Sequence, residues 1–79
     1  MDIWQIYSVN KVLIIDDEVN LRGLLARIIQ LEGYTVAEVG NAKSALKLLE
    51  QEAFQVVITD VKLPDINGVD LTAKIKSSY

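Results

Sequence analysis

Two short apolar runs, each ending abruptly in aspartate, place the strongest limit on how this chain folds. Lys11-Val12-Leu13-Ile14-Ile15 runs straight into Asp16-Asp17-Glu18, and Gln55-Val56-Val57-Ile58-Thr59 runs into Asp60. A continuous β-branched run offers no polar face. It predicts a strand buried on both sides, as in a parallel sheet covered by helices. The third-strand run, Gln55–Thr59, reads with the same buried character as the first.

The intervening segments have a helical period. Leu21, Leu24, Leu25, Ile28 and Ile29 recur at three- and four-residue spacing, and Gly33 stands where a C-terminal cap belongs. Gly23, inside that pattern, costs about 1 kcal/mol relative to alanine and marks either close packing or nothing. Tyr34–Glu38 reads as a short strand, and Asn41 as the N-cap of a helix presenting Ala42, Ala45, Leu46 and Leu49. Asn67-Gly68 opens a last helix with Val69, Leu71, Thr72 and Ile75. The order is β-α-β-α-β-α, which implies an α/β fold with a parallel sheet and right-handed crossovers.

In open sheets of this class, ligands bind beyond the carboxyl ends of the strands, where strand order reverses. With strands ordered 2-1-3, Asp16, Asp17 and Asp60 meet there. Three adjacent carboxylates repel one another, and a hard dication relieves the repulsion. The plainer alternative is that Asp16 and Asp17 only cap the first helix, where acids are favourable. The loop Val61-Lys62-Leu63-Pro64-Asp65-Ile66-Asn67-Gly68 reads by itself as an ordinary strand-to-helix connection.

Composition narrows the chemistry. The chain has no cysteine and no histidine, so thiolate and imidazole ligands are excluded and any metal chemistry runs on oxygen. The net charge is −3, and Lys11, Lys43, Lys47, Lys62, Lys74 and Lys76 form no basic run. Direct binding of nucleic acid by this segment is therefore not expected. No apolar run is long enough for a membrane span, and Met1–Asn10 lacks the pattern of a secretory signal, so a cytoplasmic location is the default.

Taken together, the strand ending Asp16-Asp17-Glu18, the strand ending Asp60, and Leu63-Pro64 with Gly68 resemble the receiver domain of bacterial two-component response regulators. The resemblance runs from Lys11 to the end of the chain, with residues 1–10 as an N-terminal extension and 11–79 as a partial receiver. It implies a flavodoxin-like, CheY-like three-layer α/β/α fold, in which strands 2, 1 and 3 are neighbours and the site lies at the switch point between strands 1 and 3. It implies that Asp60 is the phosphoacceptor, taking a phosphoryl group from a phosphohistidine of a sensor histidine kinase. It implies Mg2+ held by Asp17 directly, by Asp16 through water, by Asp60 and by the backbone carbonyl of Lys62. Such a module is not an enzyme beyond self-catalysed phosphorylation and dephosphorylation of Asp60. Val57–Pro64 looks most like receivers of σ54-type transcriptional activators, so the parent is expected to regulate transcription.

The family has five βα units, and the sequence here supplies three. The Ser or Thr ending the fourth strand, and the lysine and aromatic switch residue of the fifth, have no counterpart. The expectation is therefore a fragment that retains the acidic half of the site. Gln55–Thr59 would then be an exposed apolar edge, which predicts a homo-oligomer formed through this strand or by exchange of elements. Ile3–Val9 is rich in strand formers, with Trp4 as an anchor if the segment packs. Two alternatives compete: a non-switching, self-associating structural module, and a phosphatase of the haloacid-dehalogenase type. The latter wants Asp-x-Asp after the first strand, whereas Glu18 follows Asp16 at that spacing.

Overall fold

Both aspartate-terminated runs are strands, and they lie side by side. The computed structural model describes residues 10–78. Strands β1 (Lys11–Ile15), β2 (Thr35–Val39) and β3 (Val56–Thr59) alternate with helices α1 (Val19–Leu31), α2 (Ala42–Gln51) and α3 (Gly68–Ser78). The sheet is parallel in the order β2-β1-β3. Of the expected extension at residues 1–10, residues 1–9 lie outside the described residues, and the Asn10 carbonyl accepts from the Thr35 amide at 2.8 Å.

Parallel pairing puts every second residue on one face. Leu13 and Ile15 pack on one side with Ala42, Ala45, Leu49 and Leu71 from α2 and α3. Val12 and Ile14 pack on the other with Ala26 of α1. This is the three-layer arrangement the sequence predicts. Leu13, Ile14 and Ile15 are at most 1% exposed, and each such burial contributes about 1.5–3 kcal/mol.

The helix ends follow local chemistry. Asn41 caps α2 by accepting from the Ser44 amide at 2.8 Å. Gly33 follows α1 with φ of +97°, a conformation that favours glycine. Strand bounds shift by a residue from the sequence reading. Tyr34 lies before β2, and Val39 joins it by pairing with Ile15.

Two expectations about burial need correction. β3 is not buried like β1: Val56 and Ile58 are 47% and 38% exposed. They are in register with Val12 and Ile14, but α1 covers only the latter pair. In α1, Leu25 and Ile29 pack on the sheet, while Leu21, Leu24 and Ile28 of the same apolar stripe stay exposed. One helix lying over the β1–β2 side of this face buries only part of a wide stripe. Gly23 marks no close packing, since a Cβ there would meet nothing within 4 Å.

Candidate metal centre

The pairing register levels the strand ends. Ile15 is opposite both Val39 and Thr59, so the chain leaves β1 and β3 at the same height. The Asp60 amide donates to the Ile15 carbonyl at 2.9 Å, and the Asp16 amide to the Val39 carbonyl at 3.1 Å. Backbone pairing therefore continues one residue beyond each strand and fixes where both aspartates emerge.

Asp16, Asp17 and Asp60 each offer a carboxylate oxygen, all within 4.8 Å of one another. Asp16 is 9% exposed, Asp60 half-buried and Asp17 exposed. Among the described residues the ion pairs are Lys11–Glu52 and Arg22–Glu38, so no basic side chain pairs with the three acids. An all-oxygen, uncompensated set of this kind fits a hard dication such as Mg2+.

Neither Asp16 nor Asp17 caps α1, contrary to the plainer alternative. Glu18 is the cap, accepting from the Asn20 and Leu21 amides at 3.4 and 2.7 Å. Asp16 Oδ1 accepts from the Glu18 amide at 2.9 Å, which orients its carboxylate within the turn. Asp17 makes no hydrogen bond with its side chain among the described residues. Sequence preference ranks aspartate above glutamate at N-caps, so local propensity misplaces this cap.

Asp60 is held lightly. The Lys62 amide donates to its Oδ1 at 3.3 Å, and its Oδ2 accepts no hydrogen bond among the described residues. Gly68 packs behind it: a Cβ there would collide with the Asp60 carbonyl oxygen and lie 2.9 Å from Val61 Cα. The Gly68 amide donates to the Val61 carbonyl at 2.7 Å, and Lys62 bridges Asn67. The loop that reads as ordinary in the sequence is thus folded tightly back on the strand end.

Three further residues, Arg22, Glu38 and Asp65, tie separate elements together, and the sequence gives no local sign of the role of any of them. Arg22 donates from Nη1 to the Asp16 carbonyl at 2.9 Å and from Nε to Glu38 at 3.3 Å, tying α1 to the ends of β1 and β2. Asp65 accepts from the Ala42 and Lys43 amides, both at 2.9 Å. These bonds hold its carboxyl below the usual aspartate range, with the Ala42 amide the largest cause. The Arg22–Glu38 and Asp65–α2 contacts join residues 16 or more apart in sequence. A groove of about 780 Å³, lined by Leu49, Phe54, Val57 and Ile75 among others, lies at the opposite end of the sheet and contains none of the three aspartates.

A family model of the response regulator receiver domain matches residues 12–79. The chain belongs to the response regulator receiver domain family. Among relatives, the transcriptional regulatory protein CpxR homolog of Haemophilus influenzae is 34% identical over 67 residues, covering 85% of this chain and 29% of that protein. Among solved structures, the response regulator TrrA of Thermotoga maritima in complex with Mg2+-BeF superposes with a TM-score of 0.83 at 34% identity, covering 86% of this chain and 59% of that one. A TrrA structure in complex with the histidine kinase ThkA gives 0.85 at 33% identity, covering 89% of this chain and 60% of that one. The chain spans 29–30% of the length of the first curated relatives it matches. The receiver fold and its 2-1-3 strand order are those the sequence predicts. No helix of the described residues is long and apolar enough to cross a membrane.

Proposed function

We propose that this receiver domain is a phosphoacceptor module of a two-component system, with Asp60 as the acceptor. The observation that supports this reading most is the uncompensated cluster of Asp16, Asp17 and Asp60 at the aligned strand ends. The Asp60 carboxylate attacks the phosphorus of a phosphohistidine on a sensor kinase. The P–N bond breaks, the imidazole leaves, and an acyl phosphate forms on Asp60. Asp16, Asp17, Asp60 and the Lys62 carbonyl would hold Mg2+. When bound, the ion supplies charge neutralisation on the transferring phosphoryl oxygens. The Lys62 amide steadies Oδ1, which leaves Oδ2 as the attacking oxygen. The kinase complex of a similar response regulator supports a histidine kinase as partner, and the beryllofluoride complex of the same protein supports the cation.

The same reading extends to the surroundings. The domain lies at residues 11–79, preceded by an extension at residues 1–10. The parent protein is a transcription regulator, a reading supported by the name of the CpxR homolog, and it works in the cytoplasm. The chain self-associates through β3, whose outer edge and Val56–Ile58 face are bare among the described residues. Nucleic acid is not a direct partner of this acidic segment.

Acetyl phosphate with Mg2+ tests the central claim. Intact mass is expected to show one added phosphoryl group on the wild-type chain and none on Asp60→Asn or with chelator present. Equal labelling of the two proteins would sink the assignment of Asp60.

A further inference from the structure

The loop between β3 and α3 reaches across the domain at one point. Four amides open α2, and each has a partner. The Ser44 and Ala45 amides donate to the side chain and carbonyl of Asn41 at 2.8 and 3.2 Å. The Ala42 and Lys43 amides donate instead to the two oxygens of Asp65, one to each, at 2.9 Å. A carboxylate receiving two amides at the positive end of a helix makes charge-assisted bonds, which are the stronger kind.

The same loop carries Asp60 and Lys62, two lightly anchored groups of the pocket. Its base is closed by the Gly68–Val61 bond and the Lys62–Asn67 bridge, and its apolar side by Leu63 and Ile66 against the core. Among the described residues, its hydrogen bonds to a distant part of the fold all fall on Asp65. The bond from the Lys62 amide to Asp60 is long at 3.3 Å and does not fix the turn by itself.

We infer that Asp65 is a positioning residue: by clamping the β3–α3 loop to the N-terminus of α2, it sets the geometry of Asp60 and Lys62 and thereby the affinity of the acidic pocket for a divalent cation. The inference rests on the cation half of the reading above. Outer partners of metal ligands act in this way, and losing one typically costs ten- to a hundredfold in affinity.

The test compares the whole 79-residue chain with Asp65→Ala, Asp65→Asn and Asn41→Ala. Asn41→Ala also weakens the start of α2, and among the described residues no hydrogen bond joins Asn41 to the loop. Amide NMR reports the Lys62 and Asp60 backbone, and a Mg2+ titration reports affinity. In Asp65→Ala, the Lys62 and Asp60 amides are expected to shift and the Mg2+ dissociation constant to rise about tenfold. Asp65→Asn keeps one acceptor oxygen and is expected to fall between, and it serves for the comparison should Asp65→Ala fail to fold. Asn41→Ala is expected to lower the melting temperature while leaving the Lys62 amide and the Mg2+ affinity in place. Equal behaviour of Asp65→Ala and Asn41→Ala in both readouts would overturn the inference and leave Asp65 a helix cap. A wild-type chain that binds Mg2+ but takes no phosphoryl group from acetyl phosphate would sink the phosphoacceptor reading, while the amide shifts still decide the clamp.

Discussion

Single residues set the pocket through backbone contacts as much as through charge. Gly68 is the sharpest case, because its missing side chain is what lets α3 begin against the Asp60 carbonyl. Gly68→Ala forces that backbone apart and is expected to destabilise the fold by about 1–3 kcal/mol, read by urea denaturation. Asp65 adds a pH dependence. Its folded value lies below the ordinary 3.8 because the Ala42 and Lys43 amides favour the charged form. Its stabilising contribution is therefore complete above pH 3.8 and is lost as pH falls through the lower folded value. Acid titration of the Ala42 and Lys43 amide shifts is expected to give a common midpoint under 3.8, absent in Asp65→Asn. A midpoint at or above the ordinary value would contradict the bonding described.

At the scale of elements, the caps and the apolar stripes divide cleanly into those the local sequence states and those it does not. Asn41 and Gly33 perform the roles their residue types announce. The α1 cap is Glu18 instead of the preferred aspartates, which leaves Asp17 without a structural partner among the described residues and available to a cation. Gly23 lies exposed in the middle of α1 with open space where a Cβ would go. Gly23→Ala is expected to stabilise the chain by about 1 kcal/mol, seen as a higher urea midpoint with unchanged slope. A loss of stability would mean that this position is covered by a neighbour.

For the whole molecule, the decisive feature is that one face of the sheet is only partly roofed. Val56 and Ile58 continue the row begun by Val12 and Ile14, yet among the described residues they remain open beside a bare strand edge. Exposed apolar edges pair with other chains. The wild-type chain is expected to self-associate with rising concentration, and Ile58→Lys to shift it toward monomer. Light scattering coupled to size exclusion reads both, and a wild-type monomer at every concentration would end this reading. The alternating order of strands and helices was legible from the apolar runs and the helical periods between them, while the 2-1-3 sheet, and with it the convergence of three aspartates, followed from the family resemblance. The exposure of Leu21, Leu24, Ile28 and the β3 face was not legible from the period alone, because an apolar stripe does not say how much of it finds a partner.

What the amino-acid sequence determined is what depends on neighbours along the chain. β-branched runs make strands, Asn41 and Gly33 punctuate helices, and aspartates placed at strand ends share one edge of a parallel sheet. What the tertiary structure decided is what depends on neighbours in space. Arg22 reached Glu38 across a separation of 16 residues, and Asp65 reached α2 across 22 and 23. Hydrogen bonds over such separations arise only once the sheet has fixed the loops side by side, so no local pattern encodes them.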